Sequence, residues 1–230
     1  MINAQTTYEI TFDEVDQGLE HGSFFSGDEY ASLGGGVEFT VDSNGDFDQL
    51  ITFDTGTSPT ADNDLEVPFV GGNLAGRTDL GNALIIAENI RDRNNDGIVD
   101  SPDDQFDGGT IGVVFGNPNV ASVGFSLYDT PENSRSDVSI VFTDSTGNTV
   151  TWRADDLIAS GDDVAFGNRF ANEFEDISAE ELGLTNISAI DFNIESGAID
   201  SITFTAVPEP SSSALLGLAA AGLLFRRKRA

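Results

Sequence analysis

Twelve residues from Asp92 to Asp103 read Asp-Arg-Asn-Asn-Asp-Gly-Ile-Val-Asp-Ser-Pro-Asp and carry the best-spaced oxygen ligands in the chain. Asp92, Asn94 and Asp96 stand at positions one, three and five of the run, and Gly97 at six permits a sharp turn. Ile98 at seven offers its backbone carbonyl, Asp100 at nine binds directly or through water, and Asp103 closes the run at twelve. An all-oxygen set suits a hard cation, Ca2+ above all, and is a poor match to zinc or copper. The plain alternative is an acidic Asp/Asn-Gly turn that binds nothing. Five ligand positions plus the glycine favour calcium, with a Kd expected in the ~10⁻⁴ to 10⁻³ M range.

Other carboxylates invite weaker readings. Asp54, Asp62, Asp64, Glu88 and Asp107 flank predicted strands, and the choice is between a second oxygen cage and a solvated acidic rim, with the rim preferred. Two of these acids facing each other would permit glycoside hydrolysis, but a sequence does not measure their separation. His21 is the sole histidine, which excludes a His-rich metal site and weakens any Ser-His-Asp reading. Trp152 with Tyr8, Tyr30 and Tyr128 offers a sugar-stacking platform, although a β core uses such residues as readily. No P-loop and no GxSxG element is present, so the chain reads as a non-enzyme.

The elements that position these residues read as short strands divided by Gly, Asp and Asn. The expected strands are Tyr8–Phe12, Val37–Val41, Leu50–Phe53, Leu65–Val70, Ala83–Glu88, Thr110–Phe115, Val120–Tyr128, Val138–Thr143, Thr149–Arg153, Ile187–Ile194 and Ala198–Ala206. One short helix is expected over Ser178–Leu184, where Ser178 and Glu181 make a capping box and Gly183 ends it. Many strands and almost no helix predict an all-β fold, an antiparallel β-sandwich or jelly roll, over residues 1–206. The calcium loop then hangs between two strands, with no helix pair to open. Asp103 in place of a bidentate Glu, and Val99 at position eight, make the loop resemble those of dockerins and other extracellular calcium repeats more than EF-hand sensors.

The chain has no cysteine and carries 40 acids against 10 basic residues, for a net charge of −30. A surface this acidic repels nucleic acid and attracts divalent cations. Residues 207–230 differ in kind. Val207, Pro208, Glu209 and Pro210 open the segment, three serines follow, and an apolar run reaches from Ala214 to Phe225 before Arg226-Arg227-Lys228-Arg229. The prolines keep the chain extended and accessible. The apolar run, lengthened by the serines and by snorkelling arginines, predicts a single C-terminal transmembrane helix held by its cytoplasmic cations.

This three-part tail resembles the PEP-CTERM sorting signals of exported proteins from Gram-negative bacteria that make extracellular polysaccharide. The resemblance implies that an exosortase, a membrane-embedded protease, cuts near Pro208-Glu209-Pro210. It also implies a membrane-anchored precursor that becomes a cell-surface or matrix protein, with exopolysaccharide or another carbohydrate as a partner. An exported protein needs a signal peptide. Met1–Gln5 has neither a basic start nor an apolar core, and Asn3-Ala4 reads as the remnant of a cleavage site. The run Gly81–Glu88 with Gly108-Gly109-Thr110-Ile111 is similar to β-rich ectodomains that bear such tails, which implies a sandwich and no activity. The expected function is therefore a structural or binding module. A glycan-active hydrolase and an adhesion or ice-binding module stand as alternatives.

Overall fold

In the computed structural model, most runs rich in β-branched and aromatic residues become strands. The structure describes residues 5–14, 18–58, 60–117, 119–130, 138–154, 156 and 164–207. Its strands are β1 (Thr6–Ile10), β2 (Phe24–Phe25), β3 (Val37–Ser43), β4 (Leu50–Asp54), β5 (Asn82–Ile86) and β6 (Gly109–Phe115). They continue with β7 (Val120–Tyr128), β8 (Ser139–Thr143), β9 (Thr149–Arg153), β10 (Ala171–Ser178), β11 (Ala189–Ile194) and β12 (Ala198–Ala206). The fold is all-β, as the sequence predicts, and all the strand pairs are antiparallel.

One sheet runs β10-β7-β12-β5-β4-β2, with β1 also paired to β12; the other runs β3-β6-β11-β8-β9. Their inner faces share one core. Phe125 of β7 meets Phe192 of β11 edge to face across it, with ring centroids 4.9 Å apart. Alternation along β5 explains a second core. Leu84 and Ile86 point into the first, while Ala83 and Ile85 point to the opposite face. That opposite face is covered by the long β4–β5 connection, whose Leu65, Phe69 and Leu74 are buried against it. A strand covered on both faces reads as a continuous apolar run, which is what Ala83–Ile86 does.

Several expectations are corrected. Leu65–Val70 is not a strand, because Pro68 has no N–H to donate; the segment serves as an apolar plug instead. The first strand ends at Ile10, and Phe12 turns out of it at φ 58°. Ser178–Leu184 builds its capping box, with the Glu181 N–H donating to Ser178 Oγ at 3.1 Å, but forms hydrogen-bonded turns rather than a helix. Gly183 at φ 69° takes the left-handed conformation that ends a helical turn. Among the described residues, no helix is long and apolar enough to cross a membrane. The predicted C-terminal transmembrane helix, with Pro208, Glu209 and Pro210, lies outside the described residues.

Candidate metal centre

Val99 anchors the predicted calcium loop. Its side chain is buried in the second core, and its N–H donates to the Gly22 carbonyl at 2.8 Å. Ile98 forms an antiparallel bridge with Ser23, and the 22–23 segment bonds in turn to Thr52 of β4. The Asp100 N–H closes the loop on the Arg91 carbonyl at 2.8 Å. The loop thus sits against the rim of the larger sheet, not on a free tether.

Within the loop, side-chain oxygens face backbone amides. Asp92 accepts from the Asp96 N–H at 3.2 Å and the Gly97 N–H at 2.9 Å. Asn94 Oδ1 accepts from the Asp96 N–H at 3.0 Å, and Asp96 Oδ1 from the Ile98 N–H at 3.0 Å. Asp100 Oδ2 accepts from the Arg93 N–H at 3.0 Å. Asn95 at φ 60° and Gly97 at φ 89° make the two bends this winding needs. The oxygens at positions one, three, five and nine keep further lone pairs, and a donor set of carboxylates and one amide fits a hard cation.

Asp103, the expected twelfth-position ligand, belongs to another group. Its carboxylate joins those of Asp62 and Asp104, with one oxygen from each within 4.8 Å of the others. The segment around them lies along the end of β5, where the Glu88 N–H donates to the Asp103 carbonyl at 3.0 Å and Ala87 bridges Asp104. Asp62 arrives from the β4–β5 connection. Its Oδ1 accepts from the Asp64 and Leu65 amides at 2.9 and 3.2 Å. Asp104 Oδ2 accepts from Ser196 Oγ at 2.9 Å and from the Gly197 N–H in the β11–β12 turn. Burial, then the Asp104 charge, pushes the Asp62 carboxyl well above the usual range. Burial, then Glu88 and Asp104, raises Asp103 to about 6.

The other expected acids separate. Asp64 and Glu88 line the cavity around this cluster. Asp54 caps a local turn through the Gly56 N–H at 2.8 Å and the Thr57 hydroxyl at 2.7 Å. Asp107 lines a different cavity, with Asp42 and Glu195. Asp104 is the residue sequence reasoning missed; its one signal was its adjacency to Asp103, and the partner Asp62 is 42 positions away. His21 is a local acceptor for the Asp54 N–H at 3.0 Å. Trp152 packs on Phe142 at 5.0 Å, Tyr8 stacks on Phe204 at 5.0 Å, and Tyr30 and Tyr128 are buried, so these four belong to or flank the core.

The end of β12 decides what the chain is sorted as. The strand closes at Ala206, the Val207 N–H still bonds to the Asn119 carbonyl at 2.9 Å, and the Pro-Glu-Pro tripeptide follows at once. Residues 206–229 match the PEP-CTERM protein-sorting motif. The motif covers about a tenth of the chain and implies recognition by an exosortase, export and sorting to the cell surface. No curated protein and no solved structure matches the chain.

Proposed function

We propose that this is a non-enzymatic structural or carbohydrate-associated protein of the cell surface or exopolysaccharide matrix, whose body is stabilised by calcium held in the 92–103 loop. The observation that carries the reading is the sorting motif at residues 206–229, placed directly after the last strand. Such a precursor is held in the membrane by its apolar tail until exosortase cuts near Pro208-Glu209-Pro210. Two further features support the calcium part. The chain has no cysteine to form a disulfide, and its 40 acids outnumber basic residues four to one. Folding such a chain benefits from a bound cation, because binding free energy adds to folding free energy. In the loop, Asp92, Asn94, Asp96 and Asp100 supply side-chain oxygens, and Ile98 supplies a carbonyl.

The deciding experiment is on the tail. In a host with exosortase, mature protein should lack the residues after about Pro210. Changing Pro208, Glu209 and Pro210 to alanine should leave full-length chain in the membrane fraction. Mass spectrometry that finds an intact Arg226–Ala230 end on released protein overturns the sorting route.

A further inference from the structure

The cavity at the junction of the β4–β5 connection, the segment after the loop and the β11–β12 turn has a volume of about 240 Å3. Six carboxylates line it: Asp62, Asp64, Glu88, Asp103, Asp104 and Asp129. No lysine or arginine is among its lining residues. An acidic rim on a chain with this charge is ordinary, and acids crowded at a surface normally point away from one another into water. This group does the opposite. Asp62 is only 7 % exposed, yet its carboxylate and those of Asp103 and Asp104 turn toward one another.

The second observation is the state of Asp62 itself. Its Oδ1 is engaged by two backbone amides, but the buried Oδ2 has no hydrogen-bond partner. A buried carboxylate oxygen without a donor costs more than an ordinary hydrogen bond returns, so such atoms call for a missing partner. Its neighbours are acceptors, so that partner is either a proton shared with a facing carboxylate or a cation.

We propose that Asp62, Asp103 and Asp104 form a second divalent-cation site, selective for calcium-like ions, that clasps these three segments together. The site rests on residues outside the loop's hydrogen-bond net, so it stands whether or not the loop binds. Oxygen-only ligands and the lack of any histidine in the cavity lining exclude a zinc-type preference. Asp64 and Glu88 line the same cavity, and together with water they are the oxygens from which calcium's six to eight ligands would be made up.

Calorimetric titration of the full chain in detergent with calcium alone tests this at neutral pH. Asp62→Asn, which keeps the size of the side chain and an acceptor for the Asp64 and Leu65 amides, should bind one calcium fewer than wild type. It should still show calcium protection of the Arg91 and Arg93 bonds against trypsin. Asp92→Ala/Asp96→Ala should do the reverse, losing that protection while keeping the ion that Asp62→Asn loses. Asp104→Asn serves as a second variant if Asp62→Asn fails to fold by near-ultraviolet dichroism, and should weaken the same ion at least tenfold. Wild-type stoichiometry and affinity in both folded asparagine variants overturns the site and leaves the shared proton as the partner of Oδ2. Loss of binding in the Asp62 variant alone, with the loop variant unchanged from wild type, keeps this site and removes the loop's.

Discussion

Asp200 sits mid-strand in β12 with Oδ2 accepting from the Tyr128 hydroxyl at 2.8 Å and the Ser201 hydroxyl at 3.1 Å, while its buried Oδ1 has no partner. Burial holds this carboxyl well above the usual range, against the lowering effect of the Tyr128 bond. A carboxyl that keeps its proton more tightly when folded contributes stability fully below the unfolded value of about 4, and loses it as pH rises through the folded value. Urea melts in chelator should therefore show a midpoint that falls from pH 4.5 to pH 8. Asp103 and Asp62 slope the same way, so the informative comparison is Asp200→Asn, which should flatten its own share of that fall. Tyr128→Phe removes a donor to a buried acceptor and should cost about 1–3 kcal/mol. At this scale, sequence spacing singled out Asp92, Asn94, Asp96 and Asp100 as candidate ligands, because a local loop sets its side chains at fixed intervals. The cluster of Asp62, Asp103 and Asp104 was not legible. Its members meet only after two connections and a turn fold together, and Asp103, placed at the loop's twelfth position by spacing, is grouped with Asp62 and Asp104.

The loop behaves as an element because Val99 and Ile98 tie it to the sheet. Calcium that binds the folded state alone adds roughly 2.7 kcal/mol at a hundred times Kd. Calcium at about 10 mM, roughly ten to a hundred times the expected Kd, should raise the melting temperature by several degrees, and Asp92→Ala/Asp96→Ala should remove the loop's part of that gain. An Asp54→Ala variant should leave it intact, since Asp54 caps a turn elsewhere. A wild-type melting curve indifferent to calcium and chelator would reduce the loop to an acidic turn. The strands themselves were legible where β-branched and aromatic residues recur at close intervals, as in β7, β9 and β12. Those missed have physical reasons. β2 is two residues long. β10 is Ala-Asn-Glu-Phe-Glu-Asp-Ile-Ser, pairs through one flank only and is bulged between Phe174 and Ile177, so acids replace apolar residues on its open side. Leu65–Val70 misled because a buried plug and a strand share apolar composition, and periodicity over six residues does not separate them.

For the whole molecule the governing quantity is its charge. At −30 over 230 residues the folded chain repels itself, and among the described residues one surface ion pair, Arg77–Asp79 at 2.6 Å, is a small offset. Sodium chloride in chelator should therefore raise the melting temperature through screening. On the proposed calcium sites, calcium at equal ionic strength should raise it more than sodium, which only screens. Equal gains from the two salts would mean that screening is the whole effect.

The last strand also has a mechanical meaning. β12 is bonded along one flank to β7 and along the other to β1, from Ile202↔Ile10 to Ala206↔Thr6, and the tail leaves from its end. A pull applied at Val207 along the axis of that strand acts at right angles to its ladder bonds. The bonds on both flanks are loaded together in shear, and none is peeled open first. A pull on the chain at this point therefore meets the larger sheet where it yields last.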